Sequence, residues 1–269
     1  MEIVSGGVTD VGRVRTNNED SFRILEPQKL FILSDGMGGE AHGEVASALA
    51  VETIANYCVE SKEDSDVTLV GVPQGVSAAT RRLQNAVNQA NFKIYDSAQK
   101  NPEQRGMGAT LTTAWINGSR LSIAHVGDSR AYLLRGGALQ QLTSDHSLVA
   151  EQVRRGLLTP QQAEESEMQS VLLRALGAHP EVEVDVDETE IFPRDILLLC
   201  SDGLTRMVTE PEIAGTLQAE TDPASAAQKL VDLANERGGL DNVTVIVVKV
   251  LDESKGWFSW MRRGSAKKD

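Results

Sequence analysis

Phe31-Ile32-Leu33-Ser34-Asp35-Gly36-Met37-Gly38-Gly39 joins a short apolar run to a carboxylate and three glycines. An apolar run cut off by glycines reads as a buried strand that stops abruptly. Asp35 then stands at the mouth of a rigid element and presents its charge to a cleft. Gly36 lacks a Cβ, which lets its carbonyl approach a ligand closely. The pattern returns in Ile196-Leu197-Leu198-Leu199-Cys200-Ser201-Asp202-Gly203. Two strands that each end in Ser-Asp-Gly, far apart in the chain, point to one shared site.

Outward from these two strands the periodicity is readable. Residues 1–12 form a short edge strand, 21–26 a second strand, and Pro27 turns the chain into the strand at 30–34. Apolar residues at 45, 49, 54 and 58, and again at Val76, Ala79, Leu83, Ala86, Ala90 and Ile94, have helical spacing and predict two core-facing helices. Thr110–Ile116 and Arg120–Val126 flank Asn117-Gly118, which predicts a type I′ hairpin, and Gly136-Gly137 marks a second hairpin, so the middle of the chain reads as an antiparallel meander. Val182, Val184 and Val186 alternate with acids as a half-exposed strand. Pro211–Leu217 is a short helix, Asp222-Pro223 starts another that stops at Gly238-Gly239, and Val243 to Val250 is a last β-branched strand. Paired helices on antiparallel strands argue for an α+β fold rather than alternating βαβ units.

The composition bounds the function. The 269 residues are 41% hydrophobic and 24% charged, ordinary for a globular chain with a real core. Lys plus Arg is 26 and Asp plus Glu is 39, for a net charge of −13, which argues against a nucleic-acid surface. Cys58 and Cys200 have no metal-type spacing and suit a reducing compartment. The start Met1-Glu2-Ile3-Val4-Ser5-Gly6-Gly7 has neither a basic nor an apolar leader region, and no apolar run has membrane-spanning length, so a cytoplasmic location is expected.

Carboxylates gather at strand ends: Asp35 and Asp202 after apolar runs, Asp128 after the run 121–127, Asp241 before the last strand, and Glu19 with Asp20 in a loop before another. A carboxylate beside a buried run is costly unless paired or bound to a metal. Converging carboxylates repel, raise one another's pKa and call for cations. Oxygen ligands without His or Cys select Mg²⁺ or Mn²⁺, and two such ions can activate a shared water for phosphoryl transfer. Singly, an Asp before a Gly is more often a turn residue.

Six stretches in order carry a resemblance: Arg15-Thr16-Asn17-Asn18-Glu19-Asp20, Ser34 to Gly39, Gly106 to Thr110, Val126 to Tyr132, Ser201 to Leu204 and Asp241-Asn242. Together they resemble the metal-dependent Ser/Thr protein phosphatase family, protein phosphatase 2C, in its bacterial-type branch. The resemblance implies a four-layer α/β/β/α sandwich of two antiparallel sheets flanked by helix pairs, with a catalytic domain over 1–251 and a helical flap at about 145–170. It implies that Asp35 bridges two Mg²⁺ or Mn²⁺ ions, that the Gly36 carbonyl binds one, and that Asp202 and Asp241 complete the first. Asp128 with Asp202 would hold a third, weaker ion. Glu19 and Asp20 would sit at or behind the metal-bound waters, and Arg15 would grip the substrate phosphate. The implied reaction is hydrolysis of phosphoserine and phosphothreonine in proteins, opposing a Ser/Thr kinase, by a monomer.

Three positions depart from the family pattern. Met37 stands where animal relatives carry a histidine that could act as general acid, Arg206 replaces an acidic residue, and Ser166 stands where many bacterial members have His. His42 reads as a surface residue at a helix start. The tail 252–269 places Trp257 and Trp260 beside Arg262, Arg263, Lys267 and Lys268; a solvated tail is the simpler reading, and a partner or membrane-surface contact through 255–268 the other. Two alternatives compete with the phosphatase reading: a catalytically weak signalling module of the same fold, and a small-molecule phosphohydrolase.

Overall fold

A computed structural model describes residues 1–38, 42–60 and 75–252. Gly39 of the first motif and the tail from residue 253, with the partner or membrane contact expected of it, lie outside the described residues. The fold is the α/β/β/α sandwich expected from the resemblance.

The first sheet is antiparallel and contains β1 (Ile3–Asp10), β11 (Val243–Val250), β10 (Ile196–Cys200), β7 (Arg130–Arg135) and β8 (Ala138–Gln141), in that spatial order. The second runs β2 (Asp20–Leu25), β3 (Leu30–Met37), β5 (Leu111–Asn117), β6 (Arg120–Val126) and β9 (Asp185–Glu190), with the two-residue β4 (Gly108–Ala109) added to the end of β3. Because successive strand residues point to opposite faces, strands covered on both sides read as unbroken apolar runs. In β3, Phe31 and Leu33 face the interior between the sheets with Leu121, Ile123, Leu197, Leu199 and Ile246. Leu30 and Ile32 face outward onto α1 (Gly43–Glu60) and α2 (Ala78–Lys100), meeting Ile54, Leu83 and Ile94. The other outer face, with Leu198, Val245 and Val247, is covered by α6 (Glu210–Ala219) and α7 (Pro223–Glu236) through Ile213, Leu217, Leu230 and Val231.

The helices start where their caps dictate. Ser77 accepts a hydrogen bond from the Thr80 N–H at α2, Asp222 accepts from the Ser225 N–H at α7, and Thr209 with Glu212 forms a capping box at α6. Two short helices, α3 (Leu148–Arg154) and α4 (Pro160–Glu164), make up the flap. Among the described residues no helix is long and apolar enough to cross a membrane.

Four local expectations are corrected. β3 does not stop at Asp35: Gly36 and Met37 continue it because they pair with Ala109 and Gly108. The central hairpins are not one meander, since β5–β6 belongs to the second sheet and β7–β8 to the first; the chain changes sheet through Gly127, whose φ of +113° a residue with a Cβ rarely adopts. At the first hairpin Asn117 pairs with Arg120, and only Gly118 has positive φ (+62°), the II′ pattern; the I′ turn occurs instead at Gly136-Gly137, with φ of +58° and +89°. β9 begins at Asp185, so Val182 and Val184 precede the strand.

Candidate metal centre

The two sheets bring five aspartates together at one end. Asp20 lies directly across from Asp35 in the β2–β3 ladder, a like-charge pairing that destabilises a sheet unless something neutralises it. Asp128 sits in the turn where the chain crosses between sheets. Asp202 opens the four-residue helix α5 (Asp202–Thr205) directly after β10, and Asp241 precedes β11. Two glycines permit this convergence, by a route the sequence did not reveal. A Cβ on Gly36 would lie 2.2 Å from the Gly43 carbonyl oxygen and 2.6 Å from that of Glu19; a Cβ on Gly203 would lie 2.0 Å from the Asn242 carbonyl oxygen. Each Asp-Gly pair therefore lets a distant backbone segment pack against the residue after the aspartate. That packing is itself a reason for glycine at 36.

The electrostatics follow from the crowding. Burial pushes the Asp35 carboxyl well above its ordinary value, and Asp20, Asp202, Asp128 and Asp241 each add to the rise. Burial pushes Asp20 up to about 7, with Asp202 and Asp241 adding to it, and pushes Asp128 up to about 8, with Asp202 adding most. Asp202 is raised by burial and by Asp241, while Arg206 pulls it down. Burial and Glu44 raise Glu19. Among the described residues no three His, Cys, Asp or Glu side chains are gathered as tightly as a ligand set. Two guanidiniums supply opposing charge: Arg206 Nη2 is 2.5 Å from Asp202 Oδ2, and Arg15 Nη2 donates to Asp241 Oδ2 at 2.9 Å. Even so, the cluster is incomplete. Asp20 Oδ1 and Asp202 Oδ1 are buried without a hydrogen-bond partner, the only carboxylate oxygens in that condition among the described residues. Orphaned carboxylate oxygens in an all-oxygen cluster fit Mg²⁺ or Mn²⁺.

The surrounding residues hold the cluster in place. Asp20 Oδ2 accepts hydrogen bonds from Ser201 Oγ at 2.9 Å and Thr244 Oγ1 at 2.6 Å, so the serine of the second motif orients a carboxylate from the opposite sheet. Asn242 fixes the loop that carries Arg15 and Glu19: its Oδ1 accepts from the Glu19 N–H, and its Nδ2 donates to the carbonyls of Val11 and Asn17. The Glu19 carbonyl in turn accepts from the Gly36 N–H and from Ser47 Oγ. Roles for Ser201, Asn242 and Arg206 were missed at the level of sequence, although the Asp202–Arg206 spacing of four is a helical ion-pair signal. His42 is exposed, its carbonyl accepting the first N–H groups of α1 and its ring meeting Glu44, as a helix-start residue should. Ser166 accepts from the Met168 N–H inside the flap. Beside the carboxylates a cleft of about 890 Å³ opens between the flap and the start of α6, lined by Asp128, Asp202, Arg206, Ala150, Glu164 and Glu210 among others.

A family profile described as protein phosphatase 2C matches residues 12–235. The serine/threonine protein phosphatase PstP of Mycobacterium tuberculosis is 41% identical over 248 residues, which are 92% of this chain and 45% of PstP, so the chain spans about half the length of that relative. The serine/threonine phosphatase stp of Listeria monocytogenes is 38% identical over 244 residues, 90% of this chain and 93% of its own. Among solved structures, M. tuberculosis PstP superposes with a TM-score of 0.82 at 38% identity, covering 93% of this chain and 99% of that one. The PstP catalytic domain in complex with two manganese ions gives 0.80 at 38% identity over the same shares.

Proposed function

The chain belongs to the protein phosphatase 2C family, and we propose that it hydrolyses phosphoserine and phosphothreonine in proteins, with water as nucleophile and two Mg²⁺ or Mn²⁺ ions as cofactor. One observation carries this reading: five aspartates from both sheets crowd one end of the sandwich, where burial and the other four hold Asp35 well above the usual carboxylate range, and Asp20 and Asp202 each keep an oxygen buried and unpartnered. We assign Asp35, the Gly36 carbonyl, Asp202 and Asp241 to the ions, with Glu19 and Asp20 behind them. The two manganese ions of the similar PstP catalytic domain support a pair of such ions, and the orphaned Asp20 and Asp202 oxygens support their place among these carboxylates. When bound, such ions lower the pKa of a coordinated water and neutralise phosphate charge.

The chain's own residues do the rest. Asp20, held by two hydroxyls, keeps a carboxylate fixed against Asp35 across the ladder. Arg15 binds the phosphate: a guanidinium offers five N–H donors in a planar fork, and its contact with Asp241 is made through Nη2. The phosphorus–oxygen bond to the serine or threonine breaks as water adds, and the departing alkoxide takes its proton from water or another group, because the Met37 thioether has none to give. The substrates are phosphorylated proteins, so the enzyme opposes a Ser/Thr kinase, acting as a cytoplasmic monomer.

The test is turnover of p-nitrophenyl phosphate and of a phosphothreonine peptide, each with Mn²⁺ or with chelator, by wild type and by Asp202→Ala. Wild type turns over both with Mn²⁺ and neither with chelator, and Asp202→Ala is inactive. Metal-independent turnover, or none, rejects the proposal, and turnover of small phosphate esters without phosphopeptides points to a metabolite phosphohydrolase.

A further inference from the structure

Arg206 stands on the carboxylate cluster in a way the phosphatase reading leaves unused. It follows Asp202 by four residues, and the Arg206 N–H donates to the Asp202 carbonyl at 2.9 Å, closing the single turn of α5. That turn places the two side chains together: Arg206 Nη2 is 2.5 Å from Asp202 Oδ2, and Nη1 is 3.8 Å from Asp241 Oδ2. The two oxygens of Asp202 are thereby divided. Oδ2 is engaged by Arg206, while Oδ1 is buried without a partner. Arg206, Asp202 and Asp128 all line the cleft beneath the flap, and the Arg206 charge acts on the Asp128 carboxylate.

The two arginines at this site differ. The side chain of Arg15 is 55% exposed and that of Arg206 is 25% exposed. Arg15 sits on the loop before β2 and presents more than half of its side chain to solvent. Arg206 is fixed to a helical turn whose backbone bond it closes, so its charge stays where the carboxylates are. A tethered guanidinium needs no dehydration step and no free ion to be present, and it is always charged. With Asp202 Oδ1 given to the ions held with Asp35 and Asp241, a divalent ion shared between Asp128 and Asp202 would have to displace Arg206 from Oδ2.

We propose that Arg206 is a tethered cation that occupies the Asp128–Asp202 side of the cluster, so that this protein holds two divalent ions and gains a third when Arg206 is removed. The inference rests on the reading of Asp35, Asp202 and Asp241 as ligands, and it replaces the third ion expected between Asp128 and Asp202 with a side chain of the protein itself.

The experiment counts ions rather than turnover. The chelator-stripped full chain is titrated with Mn²⁺ in a calorimeter, and bound manganese is measured after equilibrium dialysis, for wild type, Arg206→Ala, Arg206→Met, Arg206→Lys and the double variant Arg206→Met with Asp128→Asn. Arg206→Met keeps an aliphatic stem in place of the arginine's, so the test does not depend on Arg206→Ala folding. Wild type and Arg206→Lys bind two ions, Arg206→Ala and Arg206→Met bind three, and the double variant returns to two. Two ions in Arg206→Met, or three in wild type, overturn this inference alone. No ions in wild type overturn the metal reading and this inference with it.

Discussion

Two buried polar clusters lie on either side of the turn that carries Asp128, and only one of them is complete. In the first, His146 Nδ1 accepts from the Gly127 N–H at 3.1 Å and its Nε2 donates to Asp185 Oδ2 at 3.1 Å, while Arg174 holds the other Asp185 oxygen at 2.7 Å. His125, its ring centroid 4.9 Å from that of His146, sits against Thr112 Oγ1 and the Ser144 carbonyl. None of the buried side-chain nitrogens or oxygens of this group lacks a partner. In the second, five aspartates crowd together with two orphaned oxygens and two guanidiniums as their opposing charges. Buried polar groups that satisfy one another rigidify a fold. Buried like charges that do not are stable only with something added, so polar burial reports architecture where a half-exposed Asp185 completes the histidine pair and a ligand site where Asp20 and Asp128 are buried among like charges.

Replacing Asp35 by Asn gives the sharpest separation. It removes the most repelled charge of the cluster, so the metal-free protein gains thermal stability while activity falls by about a thousandfold or more, the size of effect expected when a directly acting electrostatic group is lost. Mn²⁺ raises the melting temperature of wild type by linkage and that of the variant by much less. If Asp35→Asn instead melts well below metal-free wild type, the aspartates are a structural cluster like the histidines and the comparison collapses.

The two clusters also have opposite pH slopes. Burial and His146 lower His125 from 6.5 to about 4. Between those values the unfolded chain binds a proton that the folded one does not, so stability is lost as pH falls from about 6.5 to about 4. That window corresponds to about 3 kcal/mol. The aspartates act the other way. With Asp20 pushed up to about 7 and Asp128 up to about 8, the folded metal-free protein holds protons that the unfolded chain releases near 4. Their contribution is fully present below about 4 and is lost as pH rises through 7 to 8. Denaturant melts of metal-free wild type and His125→Asn, compared at each pH, isolate the histidine: the wild type loses about 3 kcal/mol relative to the variant from pH 7 to pH 4. A flat difference curve would mean that His125 titrates normally and that its burial is not sealed.

Local pattern disclosed the elements, and distance in sequence hid how they meet. The unbroken apolar runs at 30–33 and 196–200 are strands covered on both faces, and the helical stripes of α1, α2 and α7 are the surfaces that cover them. Neither hairpin states which sheet it joins, because that is decided by the crossing at Gly127. Asn117-Gly118 favours a I′ turn locally, yet the register that pairs Asn117 with Arg120 moves glycine to the first turn position. At the site, the aspartates were legible by residue type and motif. The reason for glycine at 36 and 203 was not, since the clashing atoms come from residues 43 and 242. Nor was the Arg15–Asp241 pair, which spans 226 residues.

That pair supplies the smallest effect. Arg15 is held at the cluster by one contact to Asp241, is more than half exposed, and has donors to spare. Its charge is raised in affinity for its proton chiefly by Asp241, so it stays cationic throughout the working range. If it grips the phosphate in both the bound and reacting states, removing it weakens binding uniformly: Arg15→Ala raises KM by about tenfold and leaves kcat within about threefold, and Arg15→Lys recovers part of the loss, because an ammonium keeps the charge but not the planar fork. If the loss falls wholly on kcat with KM unchanged, Arg15 serves the transition state or the Asp241 carboxylate instead. It would then belong, with Arg206, to the counter-charges of the cluster rather than to the substrate.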